Sequence, residues 1–136
     1  MINIFNELYT GLKQALTSNT IEGIDSIGTS SVYTNKPSSY PFVSMEEIND
    51  SVYEQGGDCC EIENFANKEY EIMVYTQKPH KRSNANSIAN VVDNYFKSVG
   101  FTRISKTPLQ ENDETTYRIV LRYMGIVSKD HIVYRR

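Results

Sequence analysis

The sequence of 136 residues contains no apolar run near the roughly 20 residues that a membrane-spanning helix needs. Its first residues, MINIFNELYTGLKQAL, lack both a basic segment and a small-residue cleavage site of the kind found in signal peptides. We therefore expect a protein that neither spans a membrane nor is secreted. The length fits one domain, 1–136, with one core.

Cysteine is nearly absent, and the two that occur, Cys59 and Cys60, are adjacent. Neighbouring cysteines do not normally close an unstrained disulfide, so the sequence predicts a reducing compartment such as a cytoplasm. Their acidic neighbours oppose formation of a reactive thiolate. The two histidines, His80 and His131, stand beside charged residues without an evident nucleophile to activate. We expect no enzymatic activity, although a small enzyme with an unrecognised site remains an alternative.

Motifs for metals and cofactors are also missing. The sequence has no CxxC, no HExxH, no GxGxxG and no GxxxxGK[ST], which are common metal and phosphate signatures. Glu46, Glu47 and Asp50 form an acidic group, but they lack the spacing and central glycine of a calcium loop. We interpret them as a solvated acidic face and predict no cofactor and no bound metal.

Charge is distributed unevenly along the chain. The formal net charge of −3 and the pI near 5.4 do not favour nucleic acid as the main partner. Residues 44–71 contain nine acidic side chains against Lys68 alone. Residues 77–106 and 117–136 together contain eleven lysines and arginines against Asp93 and Asp130. This pattern is typical either of two unrelated solvated faces or of complementary patches on neighbouring copies.

Hydrophobic periodicity predicts a mixed α and β chain. Apolar residues at helical spacing open the chain and recur before Gly100, whereas alternating residues dominate the middle and the end. The predicted elements are a helix over 2–17, a short strand near 31–34, strands over 40–48, 52–55 and 65–76, a helix from Ser83 or Asn84 to Gly100, and strands over 101–105, 117–124 and 132–134. We therefore predict an α+β fold, with a mixed, mostly antiparallel sheet flanked by two main helices.

The ten tyrosines are the one compositional excess. Tyrosine is favoured at protein–protein interfaces, where its ring is buried and its hydroxyl is hydrogen-bonded, but it also favours strands. Both interpretations remain open. The tyrosines that we expect to face a partner are Tyr33, Tyr40, Tyr53, Tyr75 and Tyr134.

Four short segments together resemble one protein family. They are Tyr40-Pro41-Phe42 entering a strand, the strand Tyr70-Glu71-Ile72-Met73-Val74-Tyr75, the helix end Gly100-Phe101, and Tyr117-Arg118 through Arg122-Tyr123. In order and spacing they are similar to tail terminator and head–tail joining proteins of tailed bacteriophages and phage-like particles. The resemblance covers roughly the whole chain, and it includes no catalytic signature.

The resemblance implies a structural role in the virion. A tail terminator forms a ring, usually a hexamer, that caps the tail tube, stops its polymerisation and provides the surface to which the head docks. The implied partners are further copies of the chain, the tail tube protein, in contractile particles a sheath protein, and a head-completion or connector protein. DNA is only cargo through the lumen. The implied location is the head-proximal end of the tail, after assembly in the cytoplasm of the host bacterium.

A ring built from identical subunits uses two different surfaces of each subunit. We therefore predict that the acidic region 44–71 of one copy lies near the basic regions 77–106 or 117–136 of the next. Two other functions remain open, a head-side connector at the portal and a small adaptor binding module outside any phage. The candidate interface residues are Glu46, Glu47, Asp50, Glu54, Lys81, Arg82, Arg118, Arg122, Tyr40 and Tyr75.

Overall fold

The structure is a computed structural model, and it describes residues 3–18, 28–30, 41–52, 65–77, 81–109, 116–128, 130 and 132–134. Two helices and six strands lie in these ranges. They are α1 (Phe5–Ser18), β1 (Gly28–Ser30), β2 (Phe42–Val52), β3 (Phe65–Gln77), α2 (Lys81–Val99), β4 (Thr102–Leu109), β5 (Thr116–Ser128) and β6 (Val133–Tyr134). The predicted strand at 31–34 falls outside the described residues.

The strands form one mixed sheet in the order β1-β2-β3-β5-β4, with β6 beside β5. β1 is parallel to β2, and every other pair is antiparallel. This arrangement confirms the predicted α+β fold with a mostly antiparallel sheet and two main helices. Within the described ranges, no helix has both the length and the apolar content to cross a membrane.

The core lies between the helices and one face of the sheet, which we call the helix face. Strand alternation sends Tyr70, Ile72 and Val74 of β3 to this face, where all three are fully buried, as the sequence predicts. Burial of apolar surface of this kind contributes about 25 cal/mol per Å². The helices complete the core with Leu8, Leu12 and Leu16 of α1 and Ile88, Val92 and Phe96 of α2.

Aromatic rings fill the centre of this core. The Phe96 ring stacks on Tyr123 at 4.5 Å between centroids and meets Phe101 edge-on at 5.7 Å. Gly125 of β5 leaves room for this group, because a Cβ atom there would lie 2.7 Å from Cδ1 of Phe101. The glycine inside a strand therefore has a packing function.

The ends of the helices follow local hydrogen bonds. α1 begins at Phe5 because the side chain of Asn3 accepts the Phe5 N–H at 3.1 Å. α2 ends as predicted at Gly100, whose φ of 113° lies in the left-handed region that favours glycine. The N–H of Phe101 then bonds to the carbonyl oxygen of Phe96 at 2.9 Å and closes the helix.

The predicted start of α2 at Ser83 or Asn84 is wrong, since the helix begins at Lys81. Ser83 lies inside the first turn, and its carbonyl oxygen accepts the hydroxyl of Ser87 at 3.0 Å. Arg82 in the added turn contacts the sheet, since its guanidinium lies over the ring of Tyr117, 5.8 Å from the centroid.

The predicted break between strands at 48 and 52 is also wrong, because β2 continues to Val52. The long strand β3 offers a partner for the whole of β2, as far as the pair Val52 and Ala66. A β-bulge at Ile48 inserts one extra residue and lets the pairing resume at Asn49. β4 likewise extends beyond the predicted 105 to Leu109.

Candidate interaction surfaces at the two sheet edges

Two strands expose a long backbone edge within the described part of the chain. β1 covers only the first three residues of β2, so residues 45–52 carry no described strand on their outer side. β4 pairs with β5 alone over 102–109. Open strand edges are surfaces to which another chain readily adds. We call residues 45–52 the acidic edge and residues 102–109 the basic edge.

A buried lysine lies under the acidic edge. Lys68 of β3 is 1% exposed, and its Nζ lies 2.9 Å from Oδ2 of Asp50 and 3.3 Å from Oε1 of Glu47. An ammonium group out of water needs such partners, because its desolvation is costly. Two carboxylates surround one ammonium, so these three side chains leave one net negative charge at the edge.

A buried tyrosine belongs to the same cluster. The hydroxyl of Tyr70, a fully buried residue, donates to Oε1 of Glu47 at 3.2 Å. Burial raises the pKa of Tyr70 above its ordinary value, and the negative charge and hydrogen bond of Glu47 raise it further. The phenol therefore stays protonated and remains a donor to the carboxylate.

The basic edge has the inverse arrangement around a buried aspartate. Asp93 of α2 is 8% exposed and lies 2.9 Å from Nζ of Lys97 and 3.5 Å from Nη1 of Arg103. The hydroxyl of the fully buried Tyr123 donates to it at 3.0 Å. Two cations surround one carboxylate, so these charges leave one net positive charge at this edge.

Opposing effects set the protonation of Asp93. Burial raises its pKa, but the hydrogen bonds from Lys97 and Tyr123 and the charge of Arg103 together hold the pKa below its ordinary value. The aspartate is therefore ionised at neutral pH. Tyr123 shows the reverse effect, because burial and then the charge of Asp93 raise its pKa.

One row of residues joins the two clusters across the sheet. The strand registers pair Glu47 with Tyr70, Tyr70 with Tyr123, and Tyr123 with Arg103. The row therefore begins at an acidic side chain, crosses two buried tyrosines and ends at a basic side chain. The sheet has a negative side at β2 and a positive side at β4.

Further charges on each edge have the same sign. Glu46 is exposed on the acidic edge. Lys106 is exposed on the basic edge, where its Nζ donates to Oδ1 of Asn86 at 3.1 Å. The charge difference between the edges is thus larger than the two clusters alone provide.

The other predicted interface residues occupy different places. Arg122 is exposed, and its Nε donates to Oε2 of Glu71 at 3.1 Å within the chain. Arg82 is exposed beside Tyr117. Lys81 is the first residue of α2. Two further candidates, Glu54 and Tyr40, lie outside the described residues, as do Tyr33 and Tyr53.

The prediction that Tyr75 faces a partner is wrong for the single chain, because this residue is 2% exposed. Its ring lies 6.3 Å from the ring of Phe42, its direct partner on β2. On the other side, the guanidinium of Arg118 lies 5.6 Å from the Tyr75 ring centroid. Cross-strand packing thus buries the Tyr75 ring within the single chain.

Glu47 and Asp50 were among the predicted interface residues, but the buried residues that organise the edges were not. A signal for two of them exists in the sequence, since Lys68 is the single base in the acidic region and Asp93 is an acid within a basic region. Charges of the minority sign are therefore the buried ones. Within the described residues, no group of three or more His, Cys, Asp or Glu side chains is placed to hold a metal ion.

Comparison with known proteins gives a likeness of fold. No protein-family model matches the chain, and no curated protein is similar to it in sequence. A chain in the solved structure "Virion of native gene transfer agent (GTA) particle" is similar, with a TM-score of 0.58 and 16% sequence identity. The match covers 86% of this chain and 91% of that chain. This protein therefore shares its fold with a component of a gene transfer agent virion.

Proposed function

We propose that this protein is a structural subunit of a phage-like particle and acts by assembly rather than by catalysis. The observation that carries the proposal is the likeness to a chain of a gene transfer agent virion, which spans most of both chains. A match of this extent relates one whole fold to another rather than a shared fragment. The short sequence segments that resemble head–tail joining proteins support the same conclusion.

Within the particle, the proposed role is that of the tail terminator. Copies of the chain form a ring, usually a hexamer in that family, on the last ring of the tail tube. The ring stops polymerisation of the tube and presents a surface to the head. In this proposal the partners are further copies, the tail tube protein, in contractile particles a sheath protein, and a head-completion protein. DNA passes through the lumen.

The charges of the two edges support ring formation. A ring needs two different surfaces on each subunit that fit each other but not themselves. The acidic edge lies at β2 and the basic edge lies at β4, with β3 and β5 between them. Opposite charges favour contact between unlike edges and disfavour contact between two like edges.

A head-side connector at the portal is the second candidate, because its family resemblance rests on the same short segments. A small adaptor module is the third, and it requires a monomer or dimer rather than a ring. Deletion of the gene from its parent particle separates these candidates. Overlong or ragged tails without heads in negative-stain electron microscopy support the terminator. Normal tails beside separate heads place the protein on the head side, and unchanged particles contradict a structural role.

A further inference from the structure

Exposed isoleucines mark the two edges. Within the described residues, three large apolar side chains are exposed: Ile48 at 40%, Ile104 at 48% and Ile132 at 51%. Ile48 lies on the acidic edge and Ile104 on the basic edge. An exposed isoleucine alone is ordinary. One on each of two open, oppositely charged edges is a pattern that an interface between copies would explain.

Both of these isoleucines are bulge residues. The pairing of β2 with β3 passes from Glu47 to Asn49, and the pairing of β4 with β5 passes from Arg103 to Ser105. In each case the isoleucine is the extra residue and has no direct partner on the neighbouring strand. A bulge bends an edge strand and hinders unspecific strand addition, so a contact at these edges depends on the side chains around the bulge.

The two isoleucines also lie near one level of the sheet. Ile48 follows Glu47 and Ile104 follows Arg103, and these two charged residues are the ends of the row that crosses the sheet. Three successive antiparallel pairings separate β2 from β4, so the two edge strands run in opposite directions. A copy placed beside another in the same orientation therefore brings β4 antiparallel to the neighbour's β2.

This antiparallel alignment matches charges as well as apolar groups. Residues that lie opposite each other in an antiparallel pair project to the same face of the sheet, and Lys106 and Glu47 both project to the helix face. When Lys106 lies opposite Glu47 of the neighbour, Ile104 and Ile48 lie one position apart. Arg103 then lies opposite Asp50, also on the helix face. Each apolar contact is thus flanked by charges of opposite sign, which fixes both partner and direction.

We propose that Ile104 of one copy packs against Ile48 of the next, with Lys106 against Glu47, in a head-to-tail contact between the basic and acidic edges. The proposal rests on the proposed function in one respect, namely that copies of this chain form a ring. It deepens that function by naming the surfaces that join them. Since each copy offers both edges, the same contact repeats until the ring closes.

Two variants with one edge blocked test the contact. Ile48→Asp places a charge on the acidic edge, and Ile104→Asp places one on the basic edge. We expect each variant alone to lose self-association by roughly 30-fold or more, the usual effect of removing an interface anchor. An equal mixture retains one intact pair of edges. In sedimentation velocity the mixture should give a species of two chains and nothing larger.

The remaining exposed isoleucine supplies the matched control. Ile132→Asp introduces the same change at a residue of similar exposure, 51%, outside both edges. This variant should assemble like the unmodified chain. Circular dichroism of all three variants checks that the fold is retained. Equal loss of assembly in Ile132→Asp would contradict a specific edge contact.

A double-mutant cycle tests the alignment. Glu47→Gln and Lys106→Gln should each weaken self-association, and the variant that carries both should lose less than the sum of the two. Losses that add strictly in the double variant would overturn the proposed pairing. A monomeric unmodified chain, or continued assembly of either aspartate variant alone, would overturn the contact itself.

This test is separate from that of the proposed function. Sedimentation reports only whether copies join through these edges, whereas the lengths of tails report whether the ring ends a tube. If rings form through the predicted edges but deletion of the gene leaves the tails normal, the terminator role alone is contradicted. Overlong tails after deletion, with self-association unaffected by both aspartate changes, would contradict the edge contact alone.

Discussion

The two buried ion clusters have the same composition with the charges reversed. Lys68 is a cation between two carboxylates, and Asp93 is an anion between two cations. In each cluster a carboxylate also accepts a hydrogen bond from the hydroxyl of a fully buried tyrosine. In both, the charge of the minority sign is buried and the majority charges are more exposed. The sheet thereby gains edges of opposite sign without an unpaired charge in its core.

The clusters differ in the exposure of the charged side chains that surround the buried one. The side chain of Lys68 is 1% exposed and its carboxylate partners are 25–30% exposed, whereas the partners of Asp93 are 43–59% exposed. Burial strengthens an electrostatic interaction and also increases the cost of breaking it. We therefore expect the lysine cluster to contribute more to the stability of the fold. The interactions of the aspartate cluster should be weakened more by solvent.

Removal of the carboxylates around Lys68 should have the largest effect. The variant Glu47→Gln/Asp50→Asn removes two negative partners from a buried ammonium, and the expected loss of unfolding free energy is about 3–5 kcal/mol. Urea denaturation followed by circular dichroism measures it. Adding Lys68→Met should restore most of the loss, because the charge that needs compensation is then absent. A variant with unchanged stability would contradict the account of this cluster.

Truncation of Asp93 should have an intermediate effect. Asp93→Ala leaves the buried hydroxyl of Tyr123 without the carboxylate acceptor, which costs about 2 kcal/mol. The matched control is Tyr123→Phe, which removes the donor. In a double-mutant cycle the aspartate truncation should cost less in the phenylalanine background. Strictly additive effects would show that the hydrogen bond contributes nothing measurable.

The smallest of these effects should be the pH dependence that Asp93 gives to the stability of the fold. The pKa of Asp93 is held below its ordinary value in the folded state. The ionised aspartate therefore contributes its full stabilisation at pH values above the ordinary pKa of the unfolded chain. The contribution is lost as the pH falls through the folded pKa. Asp93→Asn should therefore flatten the decrease in stability below about pH 4. Identical pH profiles for the variant and the unmodified chain would contradict this assignment.

Local patterns in the sequence predicted much of the fold. The alternation of β3 identified its buried face, and Gly100 identified the end of α2. Both features depend on residues close together in the sequence. The start of α2 was missed by two residues, and Arg82 in the added turn lies over Tyr117, a contact between residues far apart in the sequence.

The candidate site was harder to predict because it depends on pairing between strands. Lys68 meets Asp50 only through the register of β2 and β3, and the bulges at Ile48 and Ile104 are properties of register as well. The burial of Tyr75 was missed for a related reason. Alternation separates the two faces of a strand, but it does not show that Phe42 and Arg118 pack on the second face.

Cross-linking inside assembled particles tests the central claim most directly. A chain with Cys59→Ser and Cys60→Ser carries Ile48→Cys and Ile104→Cys, and the purified particles are oxidised. The account predicts a ladder of covalent oligomers that ends at the size of the ring, while chains with one new cysteine give no ladder. Particles that contain the chain and yield only monomers would contradict a head-to-tail contact between the two edges.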